Sequence, residues 1–445
     1  MKHHYLIVLL LTTLSISTSA AQEQWTLERC VKKAIENSLE VEATKYDLET
    51  GSIALRRAEH LRYPSLSANT GVNVGFGRSI NPITNLFETR SVLSNNIGVN
   101  TGVTVFNGFS IRNSIKSAKA VVAALNLDVN QAQRNVALDV ATAYLNALVA
   151  DENYKIAAAQ LKLSEDQLAQ TQKLIQAGAR PANEALDVEA QLALNEQVMI
   201  TRENEKVLAL LTLKQLMMLP PSTDMDVIAP EQTEVLTDPD ALAFAQVYEV
   251  ASQNEPSLKA QKFRKEAAAI NVQAEKGNLY PSVGVGANAS TNYARISDGF
   301  PNATYGDQLD QNFNYGIGAQ VSIPIYDNYR INQRIQNAEV DVLRAENVED
   351  ALKNSLTIAI QQAITDARLA KKQLSAANRS VAAQQASFAN AEKRYELGAI
   401  NSFEYVTIQN NLAEAQVNTV LAKYRYIFAV KIIEFYMGQP ITLER

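Results

Sequence analysis

The sequence predicts an α+β membrane protein made of two repeated halves. Three observations predict it: a single internal duplication, long helical stretches with coiled-coil spacing, and four alternating strands of bilayer length. The duplication shows first. Asn37, Ala43, Ile53 and Tyr63-Pro64-Ser65 return as Asn254, Ala260, Ile270 and Tyr280-Pro281-Ser282, each displaced by 217 residues, Pro64 to Pro281. Beyond the strands, Ile97-Gly98 returns as Ile317-Gly318 and Gly178 as Gly398, displaced by 220. Solenoids repeat every few tens of residues, so one duplication this long instead implies two like halves in a pseudo-symmetric assembly.

Residues 1–21 have the form of a secretory signal, with Lys2 before an apolar core at Tyr5–Leu14 and small residues at Ser19-Ala20-Ala21. That apolar core is far shorter than the roughly 20 residues a membrane-spanning helix requires. The lone Cys30 permits no internal disulfide, and Leu27-Glu28-Arg29 before it is not a lipid-attachment context. A net charge of −6 without a basic tract argues against nucleic acid.

The first repeat is expected over 22–219 and the second over 241–437, with a linker at 220–240 and a tail at 438–445. In the first, Glu28–Arg62 reads as one helix interrupted only by Gly51. Ile111–Ala177 then contains neither Pro nor Gly, and Ile111, Ile115, Ala118, Val122, Leu125 and Val129 recur at intervals of three and four. A break at Gly178 and a Pro181 suited to a first helical turn begin the return helix, so 111–219 is a hairpin. The second repeat has a helix over Pro256–Leu279 and a hairpin over 331–437 with its tip at Gly398. At 1.5 Å per residue the long arm spans roughly 100 Å and the return arm about 57 Å. The first helix, about 52 Å, would supply the missing length by stacking on the return helix.

Strands are expected over 66–77, 96–106, 282–293 and 312–326, with loops over 78–96 and 291–312. Leu66, Ala68, Thr70, Val72, Val74 and Phe76 alternate with Ser67, Asn69, Gly71, Asn73, Gly75 and Gly77, and the other three runs behave alike. Strands of soluble sheets are about half this length, and here the polar face holds Gly and Asn rather than charge. The pattern is that of an outer-membrane β-strand. Four strands cannot close a barrel, and hydrocarbon tolerates no open edge. The barrel must therefore be shared, with eight strands from a dimer or twelve from a trimer. Eight strands leave an interior filled with side chains, so the Gly- and Asn-lined faces favour the trimer.

The order of helices and strands, the duplicated halves, Tyr-Pro-Ser before the first strand of each half and the glycine at each hairpin tip resemble the TolC-type outer-membrane efflux family, from Trp25 to Met437. The resemblance implies a homotrimer in the outer membrane of a Gram-negative bacterium. Its 12-stranded barrel would lead into an antiparallel coiled-coil tunnel in the periplasm. It further implies a periplasmic adaptor protein and a proton- or ATP-driven inner-membrane pump as partners, and export of small molecules, drugs or proteins. The adaptor would dock at the tips, Ala177-Gly178-Ala179 and Leu397-Gly398-Ala399. Acids near the second tip would ring the periplasmic entrance: Glu404 matches the first ring, Thr407 stands where the second would be, and Glu184 and Asp187 lie on the other hairpin. Tyr395 matches a tyrosine that ties the tip to the neighbouring hairpin, here through Glu184. An ordinary hairpin turn also calls for Gly, and an acid in a first helical turn also complements the helix dipole.

No catalytic constellation or cofactor site is present. Beyond the signal only His60 and Cys30 could serve as soft ligands or nucleophiles, too few for common zinc sites or a Ser-His triad. Gly284-Val285-Gly286 lies within a strand without the helix that a dinucleotide site requires. The competing expectation is a secreted periplasmic coiled-coil scaffold without a pore, which would have no use for four strands of bilayer length.

Overall fold

The computed structural model describes residues 24–80, 85–229, 237–296 and 303–442; the expected signal at 1–21, part of the 220–240 linker and the end of the tail lie outside them. The chain divides into two compact units. These are not the two sequence repeats, because each unit draws segments from both halves.

Residues 40–132 and 252–358 form one unit, built around a four-stranded antiparallel sheet. Its strands are β2 (Ser65–Ile80), β3 (Phe87–Asn107), β5 (Ser282–Ile296) and β6 (Asn314–Ser322), hydrogen-bonded in that order. β3 and β5 join the two halves, and β2 and β6 are open edges. The register sets Ala68 against Val99, Thr70 against Ile97 and Val74 against Leu93 on one face. Ser67 against Asn100, Asn69 against Gly98 and Gly71 against Asn96 lie on the other. The apolar face is bare: Leu66, Val72, Phe76, Tyr315, Ile317 and Val321 are all exposed. An exposed apolar area of this extent marks an interaction surface.

Three expectations about the strands and their loops are corrected. Residues 78–80 and 87–96 are ladder, not loop, because Arg78, Ser79, Glu88, Thr89 and Arg90 pair through their backbones after the apolar alternation ends. Within 291–312, β5 continues to Ile296 and a short helix α7 (Tyr305–Gln311) follows. The fourth strand stops at Ser322 instead of reaching 326, since Pro324 has no N–H for a ladder.

α7 covers the part of β5 that β6 does not reach. Asn312 Nδ2 donates to the Asn292 carbonyl at 2.7 Å, and the Ala294 N–H donates to Gln308 Oε1 at 2.9 Å, so side chains stand in for a missing strand. Asn95 is a polar residue on the apolar face. It accepts from the Tyr305 hydroxyl at 2.9 Å and donates to Thr70 Oγ1 at 3.3 Å.

The helices of this unit are α2 (Leu39–His60), α6 (Pro256–Gly277) and the first parts of two long ones, α3 (Ser110–Gln176) and α8 (Arg330–Glu396). α6 is tied to α3 by Ser117 Oγ donating to the Ala267 carbonyl at 2.8 Å. Gln261, donating to the Ala345 carbonyl at 2.8 Å, ties it to α8. Gly51, expected as an interruption, lies within α2. A Cβ there would meet Leu125 Cδ1 at 2.4 Å, so the glycine serves close helix packing.

The other unit comprises residues up to 39, 133–251 and 359–445. It holds α1 (Leu27–Asn37), the rest of α3 and α8, α4 (Asn183–Leu216), α5 (Phe244–Asn254) and α9 (Ser402–Tyr436), with the two-residue strands β1 (Gln24–Trp25) and β4 (Asp226–Val227) paired in parallel. The expected first helix is thus two helices broken at Ser38, whose extended backbone (ψ 123°) cannot continue α1. Asn37 Nδ2 donates to the Met217 carbonyl at 3.0 Å, bringing the end of α1 to the end of α4.

Small residues on this part of α3 (Ala141, Ala143, Ala147 and Ala150) are buried and allow neighbouring helices to approach closely. Tyr144, Leu148, Leu213, Ile360, Ile364 and Ile433 are fully buried among them, each contributing roughly 1.5–3 kcal/mol. The Tyr144 hydroxyl lies 2.8 and 2.9 Å from the carbonyls of Trp25 and Ile228, and accepts from the Ile228 N–H at 3.1 Å, stapling both short strands to α3. The repeat reappears in the elements: α1 and α5, and likewise α2 and α6, are displaced by 217 residues, while α3 and α8 are displaced by 220. Among the described residues no helix is long and apolar enough to cross a membrane.

Candidate functional site

Both long helices end in the same way. After Gln176 and Glu396 the chain turns at Gly178 (φ +73°) and Gly398 (φ +74°). The Gly178 and Ala179 N–H groups donate to Ile175 and Leu174, and those of Gly398 and Ala399 to Tyr395 and Arg394. This paired capping requires a left-handed residue, where glycine carries no Cβ penalty. No atom lies within 4 Å of where a Cβ would sit on either glycine, so both tips are open. Ala177, Ala179 and Ala399 are exposed, and Leu397 is 84% exposed. Phe403, not singled out from the sequence, is 74% exposed at the start of α9.

Beneath the tips the two hairpins are fastened by Arg180, which sequence reasoning passed over. Its side chain is 7% exposed. Nη1 donates to both Glu184 carboxylate oxygens at 3.1 and 3.3 Å and to the Ile400 carbonyl at 3.1 Å. Nη2 donates to the Tyr395 carbonyl, and the guanidinium lies 4.4 Å above the Tyr395 ring. One side chain from the first tip thus neutralises an acid on its own hairpin and satisfies two carbonyls on the other. Its planar fork of donors suits this task in a way an ammonium does not.

The expected acids go to different places. Glu184 is buried in the Arg180 pair. Asp187 is exposed and accepts from Ser402 Oγ at 3.0 Å, linking α4 to the start of α9. Glu404 is half exposed and paired with Arg394 at 3.4 Å, while its N–H is capped by Asn401 Oδ1 at 2.8 Å. Tyr395 is 1% exposed and its hydroxyl meets Thr171 of α3 at 3.1 Å. The expected partner Glu184 therefore reaches Tyr395 only through Arg180. Tyr395 also packs 4.9 Å from the ring of Tyr405, with Ala391 and Ile400 completing a small core. Burial there, reinforced by Glu392, pushes the Tyr405 phenol up to about 12.

Above this core the contact between hairpins is polar. Gln409 Nε2 donates to Gln160 Oε1 at 3.1 Å, and Gln191 Nε2 to Asn410 Oδ1 at 3.3 Å. Asn195 Nδ2 donates to Ser164 Oγ at 2.6 Å within the first hairpin. These amide and hydroxyl pairs fix register without burying unpaired charge. Among the described residues no cluster of three or more His, Cys, Asp or Glu could hold a metal ion.

A sheet with a bare apolar face and two open edges, together with paired long hairpins ending in open glycine tips, fits the class of outer-membrane channels. The chain belongs to the outer membrane efflux protein family, whose family model matches residues 30–217 and 247–439. It is similar to the outer membrane efflux protein BepC of Brucella suis biovar 1 (strain 1330), 22% identical over 93% of this chain and 86% of that protein. Its fold matches VceC of Vibrio cholerae with a TM-score of 0.75 at 16% identity, over 93% of this chain and 96% of the other. The Campylobacter jejuni CmeC outer membrane channel matches with a TM-score of 0.74 at 16% identity, over 93% and 86%. The protein is an outer-membrane efflux channel of the Gram-negative type, and its family is one of channels rather than enzymes.

Proposed function

We propose that three copies pool their sheets into one 12-stranded barrel, with the helical hairpins forming a coiled-coil periplasmic tunnel. The channel is a passive duct, fed by a periplasmic adaptor and an inner-membrane pump. The observation that carries the reading is the four-stranded sheet itself. Its apolar face is bare and its edges β2 and β6 are unpaired, a condition that lipid does not tolerate. The alternative, a soluble coiled-coil scaffold, leaves that face unexplained.

The exposed tip residues Ala177, Gly178, Ala179, Leu397, Gly398 and Ala399 are the adaptor's docking points, joined by Phe403. The periplasmic entrance is held shut by the Arg180 clasp and the Tyr395–Thr171 contact, and an adaptor opens it by separating the two hairpins. Glu404 lines the entrance and, repeated three times, favours cations. The cargo is small molecules or drugs, with proteins a further possibility for so long a duct.

The test is export in a strain lacking the gene. Expression of the protein should restore ethidium efflux and place it in the detergent-extractable outer membrane. Release with the soluble periplasm would favour the scaffold.

A further inference from the structure

The chain carries its own template for the junction between copies. Within one chain, β3 of the first half pairs with β5 of the second. β6 repeats β3, displaced by 220 residues, and β2 repeats β5, displaced by 217. Those two strands are the open edges. The turns leading out of β3 and β6 share one unusual backbone, with φ of 60° and 64° at Gly108 and Phe109 and of 57° and 67° at Asn328 and Tyr329. The two halves therefore present equivalent geometry, not merely similar sequence.

We infer that β6 of one copy pairs with β2 of the next in the register of the internal β3–β5 ladder, joining Val321 to Thr70, Ile317 to Val74 and Tyr315 to Phe76. This rests on the shared barrel proposed above. Each pair is an internal one carried across the repeat: Thr101 with Ala287, Ile97 with Thr291 and Asn95 with Tyr293. All nine residues of β6 find partners, from Asn314 with Gly77 to Ser322 with Asn69.

The faces agree, which a one-residue slip would reverse. On the apolar face an aromatic pair, Tyr315 and Phe76, closes one end. On the polar face Gln320 lies opposite Gly71, Asn73 opposite Gly318 and Asn314 opposite Gly77. The chain's own sheet already sets Asn69 opposite Gly98 and Asn288 opposite Gly316. In the latter two pairs a Cβ on the glycine would come within 3.3 and 3.2 Å of the asparagine oxygen. A slip of two residues either way keeps the faces and sets Gln320 against Asn69 or Asn73, an amide pairing the internal ladder also holds at Asn100–Asn288 and Asn96–Asn292, so the choice between these registers rests on the repeat.

One corner departs from the template. A Cβ on Gly108 would lie 2.1 Å from the Gly277 carbonyl, so the internal junction closes there on two glycines. Between copies the matching positions are Asn328 and His60, and that corner must open to admit their side chains.

The test is disulfide trapping in intact outer membranes, in a Cys30→Ser background. The pair Val72→Cys with Ala319→Cys follows the inferred register. Thr70→Cys or Val74→Cys, each with Ala319→Cys, are the two-residue slips. Val99→Cys with Ala289→Cys is the internal equivalent and calibrates the yield within one chain. The 72/319 pair should link chains into dithiothreitol-sensitive dimers and trimers, with several-fold higher yield than either slipped pair. A slipped pair linking best, or no pair linking while the calibration pair forms and the extracted particle still has the mass of three chains, overturns the register but leaves the shared barrel. A particle with the mass of one chain overturns both.

Discussion

Replacing Arg180 with alanine should loosen the entrance without dismantling the channel. The Arg180 and Glu184 side chains are 7% and 11% exposed. Truncation leaves the Glu184 carboxylate and the carbonyls of Tyr395 and Ile400 without their shared donor. The Glu184 pair lies within one hairpin and persists when the hairpins part, so the fastening rests on the two charge-assisted hydrogen bonds to the other hairpin, together about 3–6 kcal/mol. Water can reach an opened tip, so the lower end is the working figure. At about 1.4 kcal/mol per tenfold change, 3 kcal/mol shifts the balance between fastened and separated hairpins about a hundredfold. The assay is open probability in planar bilayers, with susceptibility of whole cells to vancomycin as its counterpart. Arg180→Ala should raise both, and Arg180→Lys, a point charge lacking the fork, should fall between. Glu184→Gln in the same chain should add less than its separate effect, because the two residues act as a pair. An unchanged open probability in Arg180→Ala channels of normal melting temperature would show that the clasp does not hold the entrance.

Bulky residues in place of both Gly178 and Gly398 should leave trimers in the membrane but abolish export, and each forces a side chain into a left-handed backbone at about 1–2 kcal/mol; retained export would remove the tips from docking. Glu404→Gln should weaken cation preference, read as a shifted reversal potential under a salt gradient; an unshifted potential would leave Glu404 as the partner of Arg394 alone. Tyr144→Phe should lower the melting temperature through the loss of the staple on β1 and β4, by about 1–3 kcal/mol for the polar groups left unpaired. Burial alone would raise the Asp151 carboxyl, but hydrogen bonds and charge from Lys155 and Lys206 overrule it and hold it below its ordinary 3.8. Its contribution is therefore present above that value and lost as pH falls below it, and Asp151→Asn should flatten the acid limb of the stability profile.

Much of this architecture is legible from side-chain pattern alone. The hairpin tips are visible because a long stretch free of Pro and Gly ends in each at one glycine, and the left-handed turn needs that residue. The strand pairs are visible because period-two alternation is enforced wherever one face is apolar. What escaped notice was held by backbone or by distant partners. β2 and β3 continue through Arg78 and Glu88 on ladder hydrogen bonds, which leave no apolar trace. The break at Ser38 had a signal: Pro256 opens a helix in the second half, and the repeat maps it onto Leu39. α7 had one too, in Thr304 three residues before Asp307, whose N–H the threonine side chain accepts. Arg180 had half of one, in Glu184 four residues on, but the carbonyls it satisfies lie 215 and 220 residues away.

A pore forms only if the sheet is shared between copies. The mass of the detergent-extracted particle, measured together with its strand content, tests this most directly. Three chains per particle with the strands intact is the predicted result, and a stable single chain with those strands intact would contradict it.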